Sequence, residues 1–244
     1  MTRPVLAIDG GNTRIKWGVF DGHKWNPCGA LPTAESGRLA GIWRDIPGDI
    51  PAFASNVAGP AVERNLAQAC EAGKRSVTFI QAQASQLGVT NGYREPRQLG
   101  ADRWAGMIAA HRAHAGHKLV VNAGTALTVD ALTAAGVFTG GLIVAGPALM
   151  RRSLDHGTAG LRLTDGAFDA FPKSTPDAIT TGAIQACVGA IERMRAAMAD
   201  CGEPPALLVL SGGAAAELSP HIPGRVIVEE NLVLDGLRLI AGAD

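Results

Sequence analysis

Two short apolar runs joined by a polar, glycine-rich turn open the chain. Residues 5–8 are all apolar and lead into Asp9; Gly10, Gly11, Asn12 and Thr13 follow. Residues 15–20 then restore β-forming side chains before the turn signal Asp21-Gly22. Runs of this length bounded by turn residues predict a β-hairpin with a polar tip. Downstream, residues 31–50 read as a helix with loops around it, 51–58 as a buried strand, 62–73 as a helix stopped by Gly73, and 76–80 as a strand. A loop of mixed charge over 91–103 leads into an Ala-rich helix ending near Gly116.

At residue 118 the pattern restarts. Residues 118–132 are again strand, polar glycine turn and strand, and residues 5–13 can be laid on 119–125 with a shorter turn in the copy. A repeat beginning about halfway along a chain predicts a duplicated fold. The second half continues with strand and loop over 137–146, a polar loop to 175, and a helix over 177–200. Residues 206–213 form a strand running into Gly212-Gly213 and a short helix, and 226–242 close the chain. Strands alternating with helices throughout give the class α/β.

Composition narrows what such a fold can serve. The chain has 244 residues, room for one or two domains, with 22 Lys+Arg against 22 Asp+Glu and a formal net charge of zero. That balance gives no long-range attraction to phosphate backbones or anionic lipid. Aromatic content of 5% offers little for base stacking, so neither nucleic acid nor membrane is an expected partner. Apolar residues make up 47% of the chain, enough for a sizeable core. Glycine stands out at 31 residues, about 13% against a usual value of roughly 7%, which points to tight turns or backbone lying close to a ligand. The four cysteines (28, 70, 187 and 201) have no Cys-x-x-Cys spacing and read as reduced, mostly buried thiols. The first apolar run is too short for a signal peptide. Residues 131–150 carry no charge, but Gly136, Gly140, Gly141, Gly146 and Pro147 break them into strand-length pieces of a buried core. A soluble, cytoplasmic protein is the expectation.

Several residues are equipped for chemistry. Gly10, Gly11 and Asn12 let backbone N–H groups approach a phosphate, Thr13 adds a hydroxyl, and Asp9 at the strand end can hold Mg²⁺. The same residues also make an ordinary hairpin turn. A second Gly-Thr turn at Ala123-Gly124-Thr125 favours the phosphate reading, because two such tips can cradle the two ends of a triphosphate. No P-loop or Rossmann motif is present. Gly212-Gly213 at a strand-to-helix turn can pass beneath a flat ring such as adenine, or be a plain turn. Asp102 at a helix start is either a capping carboxylate or a general base for phosphoryl transfer, and Arg103 beside it can hold a carboxylate or phosphate. His111, His114 and His117 recur every third residue, but Gly116 stops the helix before they can share a face, so no metal site is expected there. The Arg-rich segment 191–198 reads as a solvated face.

Taken with these residues, the chain resembles the type III pantothenate kinases of the acetate and sugar kinase/Hsp70/actin superfamily. The resemblance runs nearly end to end. It covers residues 9–16 (DGGNTRIK), Gly100-Ala101-Asp102-Arg103, Gly124-Thr125, Gly140-Gly141 with Pro147, Ser174-Thr175 with Ala178, Ile179 and Gly182, and Ser211-Gly212-Gly213. It implies a duplicated actin-like (ribonuclease H-like) ATPase fold, with domains over 1–117 and 118–244 around a nucleotide cleft. The implied activity is ATP-dependent phosphorylation of pantothenate to 4′-phosphopantothenate, opening coenzyme A synthesis. By position in the motifs, Asp102 is the catalytic base. Asp9, Gly10, Gly11, Asn12, Thr13, Arg14, Ile15, Lys16, Thr125, Gly212 and Gly213 contact ATP, with Asp9 anchoring Mg²⁺. Tyr93, Gly100, Ala101, Asp102, Arg103 and Thr175 bind pantothenate. The family is typically homodimeric and uses K⁺ or NH₄⁺.

One departure matters. Where the family pattern has an Asp that helps bind the monovalent cation, this chain has Asn122. An amide keeps a carbonyl oxygen but removes a full negative charge, which puts the cation requirement in question. Two alternatives stand beside the kinase reading: a related kinase acting on another hydroxy acid or a sugar, and a non-catalytic nucleotide-binding accessory factor for transcription.

Overall fold

A computed structural model describes residues 3–158 and 165–242. The chain forms two units, Met1–Ala113 with Asn231–Asp244, and His114–Glu230. In the first, β1 (Val5–Gly10), β2 (Arg14–Phe20) and β3 (Trp25–Pro32) are followed by the short helix α1 (Leu39–Ile42) and then by β4 (Ala52–Asn56). Next come α2 (Pro60–Ala72), β5 (Val77–Phe79), β6 (Ser85–Gln86), β7 (Val89–Asn91) and α3 (Ala101–Ala113). The strand order is β3-β2-β1-β4-β5; β1, β2 and β3 pair antiparallel, whereas β4 lies parallel to both β1 and β5.

The unbroken apolar run of β1 follows from its central place. Leu6 and Ile8 face a core that includes Val62, Leu66 and Cys70 of α2. Ala7 faces the opposite way, against Ala105 of α3 and Val233, Leu234 and Leu237 of α7 (Leu232–Ile240). A strand covered on both faces needs no polar alternation. The last helix lies close to α3: a Cβ at Gly236 would stand 2.0 Å from the Ala105 carbonyl oxygen, so only glycine permits this crossing. This packing is why the chain end belongs to the first unit, and it corrects the expected second domain of 118–244. The expected hairpin is present, with Asp9 opposite Lys16 and Gly10 opposite Ile15.

The second unit repeats the plan. Its elements are β8 (Lys118–Ala123), β9 (Ala126–Leu132), β10 (Val137–Ala145), α4 (Pro147–Gly157), α5 (Thr175–Asp200), β11 (Leu207–Ser211), α6 (Ala215–Leu218) and β12 (Val226–Val228). The strands run β12-β11-β8-β9-β10, with β8 antiparallel to β9, β9 to β10, and β11 parallel to both β8 and β12. Read from β10, this run of five strands has the order and sense of the first unit's sheet. Leu119, Val121 and Ala123 pack with Leu208 and Leu210 against Ile184, Cys187 and Ile191 of α5.

Local assignments differ in places. Residues 31–50 hold the end of β3, a 3-10 turn and only the short α1, and α4 occupies part of the expected loop before residue 175. Cys28 and Cys201 are exposed, while Cys70 and Cys187 are buried; all four are free. The uncharged stretch 131–150 is divided among β9, β10 and α4, and no described helix is long and apolar enough to cross a membrane.

Candidate phosphoryl-transfer site

The first unit's polar turn is gripped from behind. Thr33 donates its hydroxyl to the Gly11 carbonyl (2.6 Å) and its N–H to the Thr13 carbonyl (3.0 Å), and Gly11 N–H closes the turn on the Arg14 carbonyl (3.2 Å). Asn12, Thr13 and Arg14 are exposed at the tip, whereas the Ile15 side chain is fully buried in the core. Ile15 therefore has only its backbone to offer a ligand.

Asp9 sits where β1 ends, between Lys16 on β2 and Ser55 on β4. The buried Ser55 hydroxyl donates to Asp9 Oδ1 at 2.7 Å. Burial pushes the Asp9 carboxyl up to about 6; the Ser55 bond opposes that rise, the negative charge of Asp102 adds to it, and the Lys16 charge lowers it. A carboxyl that carries this much uncompensated strain against ionisation, with Asp102 repelling it, fits a divalent cation. Among the described residues no group of three or more His, Cys, Asp and Glu side chains could hold a metal ion. Mg²⁺ held through one carboxylate and substrate phosphates requires none.

Asp102 takes the helix-start position that its capping reading expects. The Gly100 carbonyl accepts the first helical bond from Trp104 N–H (3.0 Å), which places Asp102 in the second position of α3. Its carboxylate accepts from its own N–H and from that of Arg103, so it satisfies helix-terminal donors. Burial nevertheless raises its pKa, with those bonds and the Arg103 charge opposing the rise. Arg103 itself is buried, and its Nη1 donates to the Tyr93 hydroxyl at 2.9 Å. Its guanidinium carbon lies 5.6 Å from the Tyr93 ring centroid. Tyr93 is fixed in turn, because Asn91 Oδ1 accepts its N–H (3.0 Å) while Asn91 Nδ2 donates to the Pro96 carbonyl (3.1 Å). The first unit thus gathers Asp9, Asp102, Arg103 and Tyr93 with the Gly10-Gly11 turn.

The second unit presents the same backbone with different side chains. Asn122 ends β8, with Thr128 opposite it on β9 and Ser211 beside it on β11. In the turn, Gly124 N–H reaches the Ala126 carbonyl (3.0 Å), and the Thr125 carbonyl accepts from Gly146 (2.8 Å). Gly212 has φ +99°, and a Cβ there would lie 2.4 Å from the Ala123 oxygen and 2.6 Å from Asn122 Oδ1. A Cβ at Gly213 would meet nothing within 4 Å, so its outer face is open. Thr175 starts α5, behind Ser174, whose Oγ donates to Asp177 Oδ2 (2.6 Å) and accepts the Asp177 N–H (3.3 Å). Of the three histidines, His111 is on α3, His114 Nε2 lies 3.3 Å from Glu229 Oε1, and His117 Nδ1 accepts the Ala134 N–H.

Ser55 is the site residue that sequence reasoning passed over. Its one signal was a polar residue closing an apolar run, the same signal that picked out Asp9.

A family model described as type III pantothenate kinase matches residues 5–197. A type III pantothenate kinase of Nitrosospira multiformis is 43% identical over 238 residues, covering 97% of this chain and 90% of that protein. One from Aromatoleum aromaticum is 44% identical over 240 residues, covering 98% of each. Among solved structures, a Campylobacter jejuni protein assigned to a Baf family of transcriptional activators superposes with a TM-score of 0.60 at 20% identity, over 98% of both chains. An Arthrobacter polyphosphate/ATP-glucomannokinase superposes at 0.50 and 14% identity, again over 98% of both. Likenesses at those identities speak for the fold.

Proposed function

The chain belongs to the type III pantothenate kinase family, and on that premise we propose how its own residues carry out the ATP-dependent phosphorylation of pantothenate that serves coenzyme A synthesis. Asp102 is the general base. It accepts the proton of the substrate's primary hydroxyl as that oxygen attacks the γ-phosphorus and the bond to the leaving ADP oxygen breaks. The observation that carries this assignment is the raised pKa of a half-buried carboxyl beside a buried Arg103. Burial makes the carboxylate a stronger base, and its backbone bonds and the Arg103 charge oppose that rise.

The remaining parts follow from charge and shape. Arg103, steadied by the Tyr93 hydroxyl, supplies a cation for the pantothenate carboxylate, with Gly100 and Ala101 just before it in the chain, and Thr175 is the second unit's pantothenate residue. Gly10, Gly11, Asn12, Thr13, Arg14 and Lys16, with the backbone of Ile15, hold ATP phosphates from the first unit. Thr125 and the Gly212-Gly213 turn hold the nucleotide from the second. Asp9 would hold Mg²⁺, which when bound offsets charge on the phosphate oxygens. Asn122, Thr128 and Ser211 form a neutral row and supply no carboxylate to a monovalent cation, so the reaction proceeds without a K⁺ or NH₄⁺ requirement.

The protein works in the cytoplasm as a homodimer. Supporting a dimer, the second unit exposes the apolar side chains Val137, Ile143, Leu149, Leu154, Phe171 and Val228, which a partner subunit could cover. Light scattering checks the mass.

The decisive experiment measures ADP release from Mg·ATP with and without pantothenate, in Na⁺-only and in K⁺ buffers. Release that depends on pantothenate and is equal in both buffers supports the reading. Release with a sugar or another hydroxy acid, but not with pantothenate, overturns the substrate; ATP binding without release to any acceptor overturns catalysis.

A further inference from the structure

Ser55 lies outside every motif that points to chemistry, yet it is the group that touches Asp9. It is fully buried on β4, in parallel register with Asp9 on β1, and its hydroxyl donates to Asp9 Oδ1 at 2.7 Å. We propose that Ser55 is a positioning residue for the phosphoryl transfer: its hydroxyl pins one oxygen of Asp9, so that the carboxylate is held in one orientation and presents its other oxygen to the divalent ion. The inference rests on the reading of Asp9 as the Mg²⁺ anchor.

The choice of a hydroxyl has a physical reason. A carboxylate at a strand end rotates about its last torsion, and the like charge of Asp102 pushes on it. An ammonium or guanidinium in contact would stop that rotation but neutralise the charge a metal ion needs. Lys16 acts on Asp9 through its field rather than through a hydrogen bond. A neutral O–H donor fixes the orientation and leaves the charge in place. The fold repeats the arrangement: Ser211, also buried, stands in parallel register with Asn122 at the matching strand end of the second unit. Two units that differ at Asp9/Asn122 and at Lys16/Thr128 both keep a serine on the neighbouring strand.

The test measures Mn²⁺ binding, in the presence of a non-hydrolysable ATP analogue, by water-proton relaxation, alongside the Mg²⁺ dependence of turnover. Ser55→Ala is expected to weaken Mn²⁺ binding and raise the Mg²⁺ concentration for half-maximal rate about tenfold, with kcat at saturating Mg²⁺ within about threefold of wild type. Ser55→Thr, which restores the hydroxyl, is expected to recover most of the affinity. Asp9→Asn should weaken binding more, and adding Ser55→Ala to it should cost nothing further, because the serine acts through that carboxylate. Unchanged Mn²⁺ affinity in Ser55→Ala, or a full additional loss in the double variant, overturns the positioning role while leaving Asp9 as anchor. Unchanged affinity in Asp9→Asn overturns the anchor and the positioning role together. A Ser55→Ala protein that melts early yet binds Mn²⁺ normally shows packing only, and also overturns the proposal.

Discussion

The two strand ends at Asp9 and Asn122 share a backbone and differ in charge. In each unit a central strand ends beside a parallel strand carrying a buried serine and an antiparallel strand after a short polar turn. The first unit's row is Ser55, Asp9, Lys16; the second's is Ser211, Asn122, Thr128. One row carries two full charges and has a third, Asp102, acting on it. The other carries none, and Thr128 Oγ1 is buried without a hydrogen-bond partner among the described residues. Duplication therefore supplied two equivalent turns, and the proposed function divides the labour between their side chains: it assigns the acid–base and metal chemistry to the first unit and a neutral surface for the nucleotide to the second.

The hardest test of that division removes the base from the charged side. Asp102→Asn keeps the acceptor that satisfies the start of α3 but cannot take a proton at neutral pH. Turnover is expected to fall by about 10²–10⁴-fold, the usual worth of a positioned general base, while the melting temperature moves by no more than a few degrees. Steady-state kinetics and thermal melts on the same preparation check both halves of the statement. Turnover within a few-fold of wild type would leave Asp102 as a helix-end residue and nothing more.

The next comparison lies within the second unit. Gly212→Ala forces a side chain onto a backbone at φ +99° and against the Ala123 carbonyl, where neither partner is a flexible side-chain end. The expected cost is about 2–4 kcal/mol of stability, from left-handed strain together with overpacking. Gly213→Ala meets open space and is expected to stay within about 0.5 kcal/mol. Its effect should fall on the KM for ATP instead, because the proposed function assigns that open face to the nucleotide. Urea melts and ATP titrations separate the pair.

Much of this was legible in the chain, for identifiable reasons. β1 and β8 are buried and apolar, so they announce themselves, and the polar residue closing each run marks the strand end. The match of residues 5–13 to 119–125 anticipated the shared strand order. β3 escaped because Trp25–Pro32 shows no clean alternation and lies at a sheet edge. Much of α4 escaped because its mixed polar sequence, including Arg151, Arg152, Ser153, Asp155 and His156, resembles a loop. The return of α7 to the first unit depends on contacts with Ala7 and Ala105, far away in sequence, and no local pattern encodes that. Ser55 was visible as a residue and silent as a role, because its meaning comes from register with Asp9.

A gentler way to sharpen the comparison is pH. In the metal-free protein Asp9 titrates at about 6, above the roughly 3.9 of an unfolded aspartate. Between those values the folded state binds the extra proton. The stability from this group is therefore complete below about pH 4 and is lost as pH rises through 6. Asp102 is shifted in the same direction. Melting temperatures measured from pH 5 to 8 without Mg²⁺ should show that loss, and Asp9→Asn, which retains an oxygen for Ser55, should flatten it. At pH 7.5 the variant should melt a few degrees higher than wild type while binding Mg²⁺ less well. A steeper pH dependence in Asp9→Asn would contradict the origin assigned to it. Asn122 has no ionisation to lose, so Asn122→Ala should leave the shape of the profile untouched.

The smallest expected effect comes from making the second row resemble the first. Asn122→Asp places a carboxylate between Ser211 and Thr128, where the Thr128 hydroxyl has no partner among the described residues and can donate to it. A buried negative charge without a cation is costly, so the variant should be slightly less stable than wild type in Na⁺-only buffer. It should recover part of that loss in K⁺, and turnover should become several-fold faster in K⁺ than in Na⁺. Wild type, with a neutral amide there, should show equal rates in the two salts at matched ionic strength. The two proteins together make the comparison sharp, because only one side chain differs. Stimulation of wild type by K⁺ would mean that the neutral oxygens of this row already suffice for a cation, and the division of charge between the units would then be one of degree.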